Sequence, residues 1–110
     1  MVDHELDELK REFLAEAGGK VREMRAALGL GGTPESLDRL VYLAHQLKGS
    51  GGSYGYSAIS ANAAEIEKSI EKIATGEAAF ADVEHAVRQR LANLGSAIEK
   101  STRELSTANA

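Results

Sequence analysis

The chain has 110 residues, no cysteine and a formal net charge of −4. This length predicts a single domain, residues 1–110, and is too short for a two-domain enzyme with a cleft between its domains. The mild acidity disfavours nucleic acid and anionic membranes as partners, and the lack of cysteine excludes disulfide scaffolds and Cys-based zinc sites. No stretch reads as a signal peptide or contains about 18 consecutive apolar residues, so we expect a cytoplasmic protein that does not enter a membrane.

The first segment with helical periodicity runs from about Asp3 to Leu28. Gly18 and Gly19 lie in its middle, and each costs roughly 1 kcal/mol relative to alanine in a helix. The apolar phase continues through both glycines, which predicts one long helix with a bend there; two shorter helices are the alternative. The predicted apolar stripe comprises Leu6, Leu9, Phe13, Ala17, Val21, Met24 and Leu28.

Three further segments carry helical stripes. After a glycine-rich break, Thr33 suits an N-cap and Pro34 the first helical position, and this second helix is predicted to end before Gly55. The third and fourth helices are predicted at about 57–74 and 79–105, and the residues after Leu105 are expected to fray. The three stripes are Leu37, Leu40, Val41, Ala44, Leu47, Gly51 and Tyr54; Ile59, Ala63, Ile66, Ile70 and Ile73; and Phe80, Val83, Val87, Leu91, Leu94, Ile98 and Leu105.

Four amphipathic helices joined by short loops predict an all-α fold, an up-down-up-down four-helix bundle with its core within about residues 4–105. His4 and His85 fall at polar positions of their segments and are expected to be solvated surface residues. Because the three histidines lie on separate segments without helical pairing, we predict no metal site and no cofactor.

His45 differs from the other histidines through its neighbours. It lies roughly 120° from the centre of the second helix's apolar stripe, so its ring is expected to be exposed or marginal. Lys48, Gly49 and Gly52 lie on the same side of that helix. Together with Gly51, the two glycines cost about 2–3 kcal/mol of helix propensity, and a cost of that size needs a physical reason.

Two explanations of these glycines are open. In the first, the missing side chains clear space around the His45 ring so that another protein can reach it, and Lys48 supplies a cation for a phosphoryl group on the ring. In the second, the glycines permit close packing between helices, and His45 is an ordinary surface residue.

The motif around His45 resembles a known family. The stretch His-Gln-Leu-Lys-Gly-Ser at residues 45–50, followed by Gly55 and by a helix containing Glu-Ile-Glu at residues 65–67, is similar to the histidine-containing phosphotransfer (HPt) domain of bacterial two-component phosphorelays. The similarity extends from about Leu6 to Leu105. It implies a four-helix bundle without kinase activity of its own.

The resemblance also implies roles for individual residues. His45 matches the histidine phosphorylated at Nε2, and Lys48 matches the lysine that stabilises the phosphoryl group. Gly49 matches the small residue that gives the response regulator access, and Gly52 lies on the same side. Glu67 matches a Gln or Glu that hydrogen-bonds the other ring nitrogen; an ordinary solvated acid is the alternative for this position.

The expected function is that of a monomeric phosphoryl carrier without independent turnover. Its expected partners are response-regulator receiver domains, which hold the Mg²⁺, and a sensor histidine kinase. A neutral imidazole, the main form at pH 7, is a nitrogen nucleophile suited to this role. Two alternatives are a helical protein–protein adaptor in which His45 is incidental, and the phosphoacceptor domain of a chemotaxis-type kinase.

Overall fold

The computed structural model describes residues 4–108, and within this range the chain forms four helices and no strand. The helices are α1 (His4–Leu28), α2 (Pro34–Ser53), α3 (Ser57–Ala74) and α4 (Phe80–Ala108). The predicted all-α class is confirmed. The predicted start of the first helix, Asp3, lies outside the described residues. None of the helices within residues 4–108 is long and apolar enough to cross a membrane.

α1 continues without a break through Gly18 and Gly19, so the alternative of two shorter helices is wrong. Both glycines have ordinary negative φ angles, and the neighbouring Ala17 and Val21 are buried. Tertiary packing of an amphipathic face stabilises a helix more than propensity does, so burial on either side of the glycine pair outweighs its local cost.

The ends of α2 follow from local chemistry. Thr33 adopts an extended conformation, and its side-chain oxygen accepts a hydrogen bond of 3.2 Å from the backbone N–H of Ser36, as an N-cap residue does. At the other end, Tyr54 caps the helix and Gly55 has a φ of +82°, a left-handed conformation that glycine adopts without steric cost. The chain therefore reverses directly into α3.

The helices form a closed square in which each helix packs against its neighbours in sequence and α1 also packs against α4. In the diagonal pairs, α1 with α3 and α2 with α4, no two Cα atoms within residues 4–108 come within 8 Å of each other. Because short connections link helices that pack side by side, successive helices run in opposite directions, which is the predicted up-down-up-down bundle. The molecule measures 51 × 20 × 19 Å.

One hydrophobic cluster fills the centre of the square. The predicted stripes supply most of it, and Leu14, Ala27 and Leu43 join it as buried residues that the stripes omitted. α2 and α3 form one face of the bundle, and their packing against each other positions the residues around His45.

Leu6 and Leu9 were predicted in the core, but their side chains are 40% and 47% exposed. The Phe13 ring stacks on Tyr54 and Tyr56, the residues that connect α2 to α3. The first turns of α1 therefore extend beyond the ends of α2 and α3.

α4 extends past its predicted end at Leu105 and remains helical to Ala108. The predicted helix end at Leu105 is therefore three residues too early, the expected fraying stays a prediction, and residues 109–110 lie outside the described range. Thr102 and Thr107 each donate a side-chain hydrogen bond to the carbonyl four residues earlier, so small polar residues are accommodated within the helix.

Candidate functional site

His45 lies on the outer surface of α2, beside α3, with 68% of its side chain exposed. The neighbouring Ala44 and Leu47 are completely buried and anchor this part of α2 to the core. The backbone beneath His45 is therefore held by packing, while the ring itself projects into solvent. The exposure expected from its position on the helical wheel is confirmed.

Glu67 of α3 holds one nitrogen of the His45 ring. Its Oε2 lies 2.8 Å from Nδ1, and only 12% of the Glu67 side chain is exposed. An ionised carboxylate only accepts hydrogen bonds, so Nδ1 carries the proton in this contact. In the neutral ring the lone pair is therefore on Nε2, the nitrogen that does not contact Glu67.

Lys48 contacts the same carboxylate from the next turn of α2. Its Nζ donates a hydrogen bond of 2.5 Å to Glu67 Oε1, so Glu67 bridges the imidazole and the ammonium with its two oxygens. The hydrogen bond from Lys48 is the largest cause of a lowered pKa of Glu67; His45 adds to the lowering, and burial opposes it. Lys48 is thus next to His45, as predicted, but it is already paired in this state of the protein.

Ser60 contributes to the site and was not identified in the sequence. Its Oγ donates a hydrogen bond of 2.8 Å to the backbone carbonyl of Lys48, which ties α3 to α2 beside the cluster. The sequence spacing does indicate that Ser60 is near the site, because it precedes Glu67 by two helical turns and so shares its face of α3. Because Ser60 is polar, the apolar periodicity of α3 gives no indication of it.

The three glycines near His45 have different surroundings. A Cβ added at Gly49 would meet nothing within 4 Å, so this position opens onto solvent. At Gly51, a Cβ would lie 3.2 Å from Ile59 Cγ2 and from the Ser60 backbone nitrogen, which makes this glycine a point of close approach between α2 and α3. Gly52 is exposed, with Ser60 Oγ at 3.6 Å from such a Cβ.

The packing explanation therefore holds for Gly51, and access of another protein to the ring stays a prediction for Gly49. Gly51 permits close helix packing, and Gly49 leaves the surface beside the ring open. On another side of His45, Gln46 donates a hydrogen bond of 2.8 Å to the hydroxyl of Tyr42, an exposed residue one turn earlier in α2.

The other two histidines are exposed and lie on α1 and α4, away from this cluster. Within residues 4–108, no group of three or more His, Asp and Glu side chains is placed to hold a metal ion. The structure thus brings together three residues from the predicted site, His45, Lys48 and Glu67, with Gly49 and Gly52 on the same surface.

A model of one protein family, the Hpt domain, matches residues 8–104. The chain belongs to the Hpt domain family. Hpt domains are helical bundles with a histidine phosphotransfer role in phosphorelays; they are phosphocarriers that interact with receiver domains and kinases. No curated protein and no solved structure gives a significant match to the chain. The Hpt match covers α2 and α3 completely and most of α1 and α4, but it assigns no role to single residues.

Proposed function

We propose that this Hpt domain carries a phosphoryl group on Nε2 of His45. It takes the group from the phosphorylated aspartate of a receiver domain, or from a histidine kinase, and passes it to the aspartate of another receiver. The proposal treats residues 1–110 as one domain that acts as a monomer without turnover of its own. Lys48 and Glu67 assist His45, and Gly49 and Gly52 leave room for the partner.

The observation that carries this proposal is the hydrogen bond between Glu67 and Nδ1 of an exposed ring. A phosphoacceptor histidine needs one nitrogen free and nucleophilic, and a carboxylate on the opposite nitrogen selects that tautomer. A surface histidine without a function has no need of a largely buried carboxylate from a neighbouring helix. The open position at Gly49 adds the clearance that a protein partner requires.

The transfer step balances without a free proton. The Nε2 lone pair attacks the phosphorus of the aspartyl phosphate, the bond from phosphorus to the carboxylate oxygen breaks, and the aspartate leaves as a carboxylate. The ring keeps its proton on Nδ1 and gains positive charge, which the Glu67 carboxylate stabilises across the 2.8 Å hydrogen bond. Transfer to the next aspartate reverses these bonds. The receiver domain brings its own Mg²⁺.

Lys48 acts after the nitrogen–phosphorus bond has formed. Its Nζ is held by Glu67 in the unphosphorylated protein, and its ammonium has three donors on a flexible stem. A dianionic phosphoryl group on Nε2 competes with the single charge of Glu67 for that ammonium. Lys48 can therefore donate to both groups or move towards the phosphate, which keeps the cation close throughout the reaction.

Incubation with phosphorylated donors tests the proposal. A panel of purified, phosphorylated receiver domains and a histidine kinase with ATP should each be mixed with the wild-type chain and with His45→Gln. We expect phosphate on the wild type that is labile in acid and stable in base, and none on the variant. His85→Gln is the matched control, because His85 is also exposed on a helix surface and should not affect uptake.

The outcome separates the proposed function from its alternatives. Labelling by a kinase, with no uptake from any phosphorylated receiver, would favour the phosphoacceptor domain of a chemotaxis-type kinase. No labelling by any donor would favour the adaptor. Equal labelling of wild type and His45→Gln would show that another residue accepts the phosphate.

A further inference from the structure

A groove lies between the first half of α2 and the second half of α3. Its volume is about 490 Å³, and the residues that line it include Leu37, Asp38, Val41, Ile70, Glu71 and Ala74. Most of this lining is apolar, and Leu37 and Val41 are only partly buried against the core. None of these residues belongs to the His45 cluster described above.

The groove is on the same face of the bundle as His45. Val41 precedes His45 by one helical turn and Asp38 precedes it by two, so both lie on the same side of α2. On α3, Glu71 follows Glu67 by one turn and Ala74 follows it by two. The hydrogen bond between His45 and Glu67 connects α2 and α3 at the site. The groove lies between the same two helices, one to two turns further along them.

A protein docked with its interface centred on His45 covers this groove. A stable protein contact buries about 800 Å² on each partner, which corresponds to a patch of roughly 16 Å radius. At 1.5 Å per residue, Val41 is about 6 Å and Leu37 about 12 Å from His45 along the axis of α2. An interface of this size centred on His45 therefore includes the groove.

The groove has a charge as well as an apolar lining. Asp38 and Glu71 are exposed, and neither makes an ion pair with another residue in the range 4–108. Glu71 also lines a neighbouring depression on α3 together with Lys68 and Lys72, but neither lysine forms an ion pair with it in residues 4–108. The charged residues that line the groove itself are the two carboxylates, Asp38 and Glu71, so its lining is acidic.

We infer that this groove selects the receiver. The receivers that exchange phosphate with this chain present an apolar side chain to Leu37 and Val41, flanked by lysine or arginine facing Asp38 and Glu71. This inference rests on the proposed function of His45 and adds a specificity surface to it. Charges at the edge of an interface mainly speed the association of complementary partners and disfavour the binding of wrong ones. The groove therefore determines which receivers dock productively.

A charge reversal tests the inference. Rates of phosphoryl transfer from the receiver panel should be measured at low receiver concentration with wild type, with D38K/E71K and with E99K/E104K. The control pair lies exposed on α4, which is diagonal to α2 in the bundle, and carries the same change in net charge. For the fastest wild-type receiver we expect D38K/E71K to slow transfer about ten-fold or more at low salt and much less at high salt. The control should stay within about two-fold of wild type.

A reciprocal change on the receiver completes the test. Replacing the basic residues of its docking face by glutamate should restore transfer to D38K/E71K and slow transfer to wild type. The inference would be overturned if both charge-reversal pairs slowed transfer equally, or if D38K/E71K transferred at the wild-type rate. In either case, labelling of the wild type would still support the proposed function. If no receiver labels the wild type, the proposed function itself fails, and the inference fails with it.

Discussion

Gly49 and Gly51 lie two residues apart in α2, and their surroundings are opposite. A side chain at Gly51 would press on Ile59 and on the backbone of α3, whereas a side chain at Gly49 would extend into open solvent. Both residues cost the helix about 1 kcal/mol relative to alanine. At Gly51, the inner glycine, close packing between α2 and α3 offsets that cost. At Gly49, the outer glycine, no described residue within 4 Å gives a packing reason for it.

This difference separates the stability of α2 from its function. The inner side of the helix, with Leu47 and Gly51, is buried and holds the backbone in place. The outer side, with His45 and Gly49, is exposed and carries the proposed chemistry. Substitutions on the inner side should therefore change stability, and substitutions on the outer side should change phosphoryl transfer.

The largest expected effect is that of His45→Gln. Phosphate uptake should fall below detection, because the reacting Nε2 is lost. The melting temperature should change little, since the ring is 68% exposed and surface substitutions usually stay within about 0.5 kcal/mol. Labelling assays and thermal unfolding followed by circular dichroism check both halves. A strongly destabilised variant would show that the outer side also supports the fold.

On the inner side, Gly51→Leu should lower the free energy of unfolding by about 3 kcal/mol. The new side chain must displace Ile59 or move the backbone of α3, and overpacking of this kind costs about 1–3 kcal/mol or more. Urea unfolding measures the change. A variant as stable as wild type would remove the packing explanation for Gly51.

Gly49→Leu is the matched substitution on the outer side. It should be at least as stable as wild type, because leucine is the better helix former and meets no atom within reach of its Cβ. Transfer should slow by about a hundred-fold, the order of loss that a misplacement of about 1 Å causes in a reacting pair. Rapid-quench assays with several receivers measure this rate. Unchanged rates with all receivers would contradict the role of Gly49 in access.

Glu67→Ala should slow transfer by about ten-fold without abolishing it. A hydrogen bond to a charged group contributes about 1.5–3 kcal/mol, and each 1.4 kcal/mol in the barrier is a factor of ten in rate. Nitrogen NMR of the ring should show the proton moving from Nδ1 towards a mixture of both tautomers. Glu67→Gln should restore part of the rate, because its carbonyl oxygen still accepts from Nδ1. An unchanged rate and tautomer in Glu67→Ala would return Glu67 to the role of an ordinary acid.

The smallest expected effect is the dependence of stability on pH. The pKa of Glu67 is lowered from 4.5, mainly by the hydrogen bond from Lys48, so the folded protein binds this proton less readily than the unfolded chain. The stability that ionised Glu67 contributes to the fold is therefore fully present above about pH 5, and it is lost as pH falls through the lowered pKa of the folded state. We expect the free energy of unfolding of wild type to exceed that of Glu67→Gln by about 1 kcal/mol at pH 7, and this difference to shrink below pH 4.5. Urea unfolding of both proteins from pH 7 to pH 3 measures it.

Much of the fold was predictable from the sequence because its determinants are local. Apolar periodicity and the Thr33-Pro34 cap placed all four helices within a few residues of their observed ends. The same periodicity placed His45 off the core stripe, and its exposure follows from that. The residues at 45–50 and at 67 were sufficient to suggest the family, which the match over residues 8–104 now shows.

Other features depend on how the helices are offset and rotated against one another. No local pattern reveals that Leu6 and Leu9 extend beyond α2 and α3, or that Ser60 bonds the carbonyl of Lys48. The bridge from Glu67 to both His45 and Lys48 joins α3 to α2, so it exists only after the two helices have packed.

The glycines show this division most clearly. The sequence by itself determined that the end of α2 carries a local cost and that His45 points away from the core, because both follow from propensity and helical period. Only the tertiary structure decided that Gly51 faces α3 while Gly49 faces solvent, and that the groove beside His45 is acidic. The physical reason is that packing and shared surfaces depend on distances between atoms of different helices, which the spacing along one helix does not contain.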